Sequence, residues 1–225
     1  MNCLWCDEEI IISVSWTDFL LLPKRKVLCL KCAGDLKFIS GSRCIVCSRS
    51  CDGKICSDCQ RWRNKTKDPL AMNQSVFLYN PAIKEMISKW KYRGDYCLGD
   101  IFKESFVQTF KTAFGNEIND SIVVPIPLSD ERLLERGFNQ SAMLADYLQV
   151  EKKEILTRIH GEKQSKKTRI ERISARNPFS LNAVVSNKVI LIDDIYTTGA
   201  TLRHAATLLQ EAGCPKVSSF TLIRG

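Results

Sequence analysis

Asp193 and Asp194 stand at the end of an unbroken apolar run, Val-Ile-Leu-Ile at 189–192, and two intervening residues separate them from Thr197-Thr198-Gly199-Ala200-Thr201. Small side chains in such a turn let the backbone approach an anion. N–H groups at the start of a following helix point at that anion, and the helix dipole favours negative charge. The hydroxyls of Thr197, Thr198 and Thr201 add donors, and two adjacent carboxylates just before the turn suit the paired hydroxyls of a ribose. The apolar run is that of a strand buried on both faces, and open α/β sheets bind ligands beyond the C-terminal ends of their strands. The plain alternative is a strand–turn–helix with an incidental acid pair and a Thr-rich cap; residue type, order and spacing together favour a ligand site. A Walker loop and a dinucleotide fingerprint are both absent.

A second chemistry lies at the other end of the chain. Nine of the eleven cysteines fall in the first 59 residues. Eight form four CxxC pairs: Cys3/Cys6, Cys29/Cys32, Cys44/Cys47 and Cys56/Cys59. One CxxC turn places two thiolates on a metal, and a second pair completes a tetrahedral four-cysteine site. Sequential pairing joins the first pair to the second and the third to the fourth; spacing leaves an interleaved pairing open. Redox dithiols and iron–sulfur clusters are alternatives, and tandem ribbon-like spacing favours two structural zinc ions. So short a segment buries little core, so metals would supply its folding energy. Cys51, Cys97 and Cys214 read as ordinary thiols. Trp5, Trp16 and Trp62 could stack on bases, with packing around the metals the plainer role. The formal charge of +8 falls to about +4 once eight thiolates and two divalent metals are counted, so net charge argues only weakly for nucleic acid.

Further cations cluster near strand ends. Val124-Pro125-Ile126-Pro127 leads into Arg132 and Arg136, which could hold pyrophosphate by two-point contacts or lie on a helix surface. Lys91 and Arg93 close a helix. Lys163, Lys166, Lys167, Arg169 and Arg172 sit in a basic loop over 162–177. That loop could close over pyrophosphate, meet a nucleic-acid backbone, or be a solvated charged segment. The sequence assigns no acid–base role to His160 or His204, and His204, on the helix after the turn, reads as structural.

The elements that must position these groups read as alternating strands and helices. Residues 76–79 are β-prone. Asn80-Pro81 caps a helix whose apolar face is Ile83, Met86, Ile87 and Trp90. Leu98, Ile101, Phe102, Phe106 and Phe110 mark a second helix. A strand covers 122–126, a helix follows Gly137 to about Leu148, and 151–177 is a long basic loop with marginal strand content. A helix over 201–212 ends at Gly213 and Pro215, and 217–223 is a final strand. This order predicts an α/β fold with a mostly parallel sheet covered on both faces. The expected division is a cysteine module over 1–60, a linker over 61–70 and the α/β domain over 71–225. No apolar run approaches the roughly 18–20 residues needed to span a bilayer, and no basic segment precedes an apolar one at the N-terminus. A cytoplasmic chain without membrane insertion is expected.

Four apolar residues, two acids, two variable positions and TTGAT resemble the phosphoribosyl pyrophosphate (PRPP) signature of type I phosphoribosyltransferases. The resemblance implies that fold. It implies that Asp193 and Asp194 take the ribose hydroxyls as catalytic acids. Ile195, Tyr196, Thr197, Thr198, Gly199, Ala200 and Thr201 would hold the 5-phosphate, with Mg²⁺ bridging the pyrophosphate. The order of the whole chain is similar to the ComF/ComFC competence family over essentially its full length. That order runs double CxxC ribbon, NPAIKEMISKWKYRGD, VPIPLSDERLLERGFNQS, a basic loop ending ERISARNPF, and VILIDDIYTTGAT. That family resemblance implies a DNA-uptake factor for natural transformation. Such a factor binds single-stranded DNA, works beside a helicase partner of the ComFA type, and lies peripherally at the uptake machinery. Two other functions fit the same residues: a Mg-dependent phosphoribosyltransferase acting on a nucleobase or macromolecule, and a non-catalytic scaffold that senses PRPP or a nucleotide.

Overall fold

The computed structural model describes residues 1–11, 26–65, 68–92, 95–159 and 177–225. Its strands are β1 (Asn73–Leu78), β2 (Ser121–Pro125), β3 (Leu156–Arg158), β4 (Phe179–Leu181), β5 (Lys188–Tyr196) and β6 (Val217–Arg224). The helices are α1 (Leu30–Asp35), α2 (Ser57–Lys65), α3 (Pro81–Tyr92), α4 (Asp100–Phe114), α5 (Asp130–Arg136), α6 (Gln140–Asp146) and α7 (Ala200–Glu211). β1, β6, β5 and β2 form one sheet in that order, every pair parallel. β3 and β4 make a small antiparallel hairpin.

The sheet centre follows from the side-chain period of two. Along β5, Val189 and Leu191 enter the core on one face, and Ile190 and Ile192 enter the core on the other. α3, α4 and α6 cover the second of these faces; α7, the β3–β4 hairpin and the segment after β2 cover the first. On α4, Phe106, Phe110 and Phe114 surround Phe220 of β6, with ring centroids 4.4, 5.4 and 5.9 Å from it. The cysteine segment divides in the same way. Cys3 and Cys32 join the core on the α3/α4 face, whereas Cys44, Cys47, Cys56 and Cys59 join the core on the α7 face. The cysteine module is therefore two pieces, one against each side of the sheet.

Local chemistry sets the element ends. Asn80 Oδ1 accepts the Ile83 N–H at 2.8 Å, and Pro81 opens α3. Gly213 (φ +93°) ends α7: the Gly213 N–H reaches Gln210 O and the Cys214 N–H reaches Leu209 O, which is a Schellman closure. Two features depart from the sequence reading. The arginines after β2 lie on a short helix, α5, that ends where Gly137 turns left-handed (φ +75°); α6 then restarts at Gln140 under the side-chain cap of Asn139. The segment read as a linker is packed where it is described. α2 runs across residue 60, and Asp68 is tied to Arg203 of α7 by two hydrogen bonds of 3.0 and 2.8 Å.

Candidate functional site

β5 carries Asp193 and Asp194 to the C-terminal edge of the sheet, where a cavity of about 200 Å³ opens. Residues 193–202 form one side of it. The others are Lys91 from α3, the chain at 126–128 beyond β2, Arg132 and Arg136 from α5, Gln140 and Ser141 from α6, and Arg158 at the end of β3. Six elements distant in sequence thus converge on the acid pair.

The two acids are held differently. Asp194 is ion-paired with Lys91. Asp193 accepts the Ser141 hydroxyl at 3.1 Å and the Asp194 N–H at 2.9 Å. It is only partly open to the cavity. Removal from water, reinforced by the neighbouring Asp194 carboxylate, pushes its carboxyl up to about 7. One acid has a cationic partner, and the other is poised to titrate near neutral pH.

The turn after β5 is braced from behind. Arg224 donates to Tyr196 O and Thr197 O, both at 3.1 Å, and the Trp62 indole donates to Thr198 O at 3.1 Å. A trans peptide points its N–H opposite its C=O. Holding three successive carbonyls inward therefore turns the N–H groups of Thr197, Thr198 and Gly199 outward, and no protein acceptor takes them among the described residues. Gly199 (φ +73°) caps α7; a Cβ there would overlap both the Tyr196 hydroxyl and an Arg203 nitrogen. The result is a concave row of donors at a helix start, suited to a phosphate dianion.

The α5–β3 side is cationic. Burial first, and then Arg132 and Arg136, pull Arg158 below the usual guanidinium range, while Asp193 opposes them. Arg136 is buried and donates to Gln140 Oε1 at 2.9 Å. Its Nε and the Gln140 Nε2 are buried without a partner among the described residues. An unsatisfied buried donor costs about 1–3 kcal/mol, and an arginine does not relieve the strain by losing its proton. A second anionic group would offset both the orphaned donors and the mutual repulsion.

The cysteines pair sequentially. Cys3, Cys6, Cys29 and Cys32 form one cluster and Cys44, Cys47, Cys56 and Cys59 another; within each cluster the sulfurs lie within 4.8 Å of one another. All eight are free thiols. Cys6–Cys29 and Cys47–Cys56 are 3.7 and 3.6 Å apart, close to the roughly 3.8 Å expected for two sulfurs about 2.3 Å from one tetrahedral metal. A hydrogen bond from Cys59, and then the Arg224 charge, hold Cys47 down to about 4, so one thiolate is ready for a metal. Each cluster fits a metal ion.

Of the cations expected from sequence, Lys91, Arg132 and Arg136 line the cavity together with residues 193–201. Arg93, Lys163, Lys166, Lys167, Arg169 and Arg172 lie outside the described residues, as do Trp16 and His160. The Tyr196 ring is buried, with its hydroxyl committed to Arg203 at 2.7 Å. Trp62 is committed to the turn and lies against Arg203 at 4.7 Å, and Trp5 lies under Lys89 at 5.2 Å. Sequence reasoning passed over Arg158, Ser141, Gln140, Arg203 and Arg224. A signal existed for Arg203: at i+4 from Gly199 and i−3 from Ala206, it falls on the buried face of α7. None existed for Arg158, which reaches the site only through the β3–β4 hairpin.

A family model described as a phosphoribosyl transferase domain matches residues 133–225. The chain is 42% identical to the competence protein ComFC of Bacillus subtilis (strain 168), over 99% of this chain and 94% of that protein. It is 32% identical to the competence protein ComFC of Streptococcus pneumoniae (strain ATCC BAA-255 / R6), over the full length of both. Among solved structures, a hypoxanthine phosphoribosyltransferase from Staphylococcus aureus aligns with 56% of this chain and 64% of its own, at 15% identity and a TM-score of 0.36.

Proposed function

Because this chain belongs to the ComF/ComFC family of competence proteins, we propose that it is a DNA-uptake factor whose phosphoribosyltransferase domain binds PRPP and whose basic surface takes single-stranded DNA. The observation that carries the ligand reading is the cavity itself. Around one acid pair lie a turn with outward N–H groups and a group of three arginines, which supports this reading. PRPP has a phosphate at one end, a pyrophosphate at the other and two ribose hydroxyls between them. In this reading residues 195–201 hold the 5-phosphate, Asp193 and Asp194 accept the ribose hydroxyls, and Arg132, Arg136 and Arg158 face the pyrophosphate. Lys91 neutralises Asp194 until the ligand arrives. Mg²⁺ accompanies the pyrophosphate, with ligand oxygens as its main partners, as is usual for phosphate-bound magnesium. Zinc fills the two four-cysteine clusters.

Single-stranded DNA fits the surface beside this cavity. Tyr92 and Tyr96 are exposed. Arg136 lies 5.4 Å over the Tyr92 ring, and Tyr96 packs on Phe138 at 5.1 Å. Aromatic rings next to cations are what strand-binding proteins use to stack bases and track phosphates. Lys163, Lys166, Lys167, Arg169 and Arg172, outside the described residues, are the further candidates for backbone contacts, on their sequence alone. No helix among the described residues is long and apolar enough to cross a membrane. The proposed place of action is the cytoplasmic face of the uptake machinery, beside a helicase of the ComFA type. Fluorescence anisotropy of a labelled oligothymidylate tests the DNA reading. Affinity should fall steeply as salt rises, and Lys166→Ala/Lys167→Ala/Arg169→Ala should flatten that slope. Unchanged binding by the triple variant would remove the loop from the interface.

Phosphoribosyl transfer is a second reading, favoured by the intact acid pair and the aromatic rim beside it. Pyrophosphate release from PRPP and Mg²⁺, followed with nucleobases and with oligonucleotides as acceptors, separates transfer from binding. Release with none of them would leave a site that binds without turnover.

A further inference from the structure

We propose that Arg224 is a positioning residue through which metal occupancy of the second cluster, Cys44/Cys47/Cys56/Cys59, controls the phosphate affinity of the turn at 197–199. The inference rests on reading that turn as a phosphate site. Its basis is that one metal cluster reaches three successive carbonyls of the turn by two separate routes.

The first route is Arg224. Its guanidinium is buried and donates from Nε to Cys47 O at 2.9 Å and from Nη2 to Cys47 Sγ at 3.5 Å. Its remaining nitrogen, Nη1, donates to Tyr196 O and Thr197 O at 3.1 Å and also meets Gly225 O. The fork therefore holds a metal-ligand residue on one side and the first two carbonyls of the turn on the other. It also lies 4.8 Å over the Tyr196 ring. The second route is α2. This helix begins between Cys56 and Cys59 and carries Trp62, whose indole holds the third carbonyl, Thr198 O. A bound metal fixes the Cys44–Cys47 turn and the first turn of α2 together. Loss of the metal releases both: Thr197 O and Thr198 O lose their anchors, Tyr196 O keeps only the Gly225 N–H at 2.9 Å, and the outward N–H groups lose their aim.

Among the described residues the first cluster has no comparable path. It contacts the α3 side of the sheet, by Trp5 against Lys89 and by Cys3 and Cys32 in that core. The coupling is therefore specific to one of the two metals. By linkage it runs both ways: a ligand in the turn must retain the second metal by the same factor that the metal tightens the ligand. Couplings between two sites typically amount to about 5–150-fold.

The test uses the full-length zinc protein and ribose 5-phosphate, which engages the turn without pyrophosphate or Mg²⁺. Zinc transfer to a colorimetric chelator is followed with and without the sugar phosphate. The expected result is two zinc ions per chain, with ribose 5-phosphate slowing the release of one about tenfold and leaving the other unchanged. Arg224→Gln should still load two zinc ions, bind ribose 5-phosphate about tenfold more weakly, and lose the ligand effect on release. Should Arg224→Gln fail to fold, Trp62→Phe removes only the indole donor; it should lower both affinity and protection. Binding that leaves both zinc ions unprotected overturns the coupling alone. Absence of ribose 5-phosphate binding to the wild type overturns the reading of the turn and the coupling with it.

Discussion

At Asp193, folding and binding ask for opposite charge states. Burial and the Asp194 carboxylate push its carboxyl up to about 7, against roughly 4 in an unfolded chain. Between those values the folded protein holds the extra proton. The stability this proton contributes is complete below about pH 4 and is lost as pH rises through about 7. A ribose hydroxyl instead needs the ionised acceptor. Affinity for PRPP with Mg²⁺ should therefore rise from about pH 6 to about pH 8, and Asp193→Asn should flatten that rise; calorimetric titration at several pH values measures both. Gly199 is constrained as tightly. Gly199→Ala meets a positive φ, which costs about 1–2 kcal/mol, and drives a methyl group against Tyr196 and Arg203. A lowered urea midpoint together with lost ribose 5-phosphate binding is expected. A variant that folds and binds as the wild type does would show that the turn is less constrained than described. The strand–turn–helix at 189–211 and the position of its acid pair at the sheet edge were legible because the pattern is contiguous along the chain. Arg158 and Gln140 were not, because they reach the cavity through a hairpin and a helix whose placement depends on tertiary packing.

Among the elements, α7 shows how the turn is kept rigid. Arg203 on its buried face bridges Tyr196, Asp68 and the Trp62 ring. Arg203 and Asp68 side chains are only 3% and 7% exposed. Removing one partner of a buried pair leaves the other charge uncompensated, at about 3–5 kcal/mol. Asp68→Ala should lose that much by denaturant titration. A loss within the range of a surface salt bridge, about 0–1 kcal/mol, would mean that water reaches Arg203. The long periodic helices α3, α4 and α7 were legible from their apolar faces and caps. α5 was not, because seven residues give too few turns for a period to show. The described part of 61–70 read as a linker because its composition is polar; its Trp62 and Asp68 are spent on the turn and on α7 rather than on solvent.

For the whole molecule, the CxxC pairs made the two four-cysteine clusters legible but not their placement. They lie on opposite faces of one sheet and are woven into both cores. One hydroxyl–amide seam ties the second ribbon to the sheet: Asn73 N–H donates to Val46 O at 2.7 Å, and the Ser48 hydroxyl to Asn73 O at 2.9 Å. Zinc supplies folding energy where a segment is too short to bury its own core. Chelation should therefore lower the melting temperature of the entire chain in one transition, followed by circular dichroism. A second, unshifted transition would show that residues 71–225 fold independently of the metals. The cavity at the end of β5 is proposed to hold a phosphoribosyl group. Isothermal titration of the zinc-loaded chain with PRPP and Mg²⁺ near pH 8 tests it most directly. One saturable site is expected, with an affinity that falls about 10–100-fold in Asp193→Asn, the loss of one or two charge-assisted hydrogen bonds. Equal affinity in wild type and Asp193→Asn would contradict it.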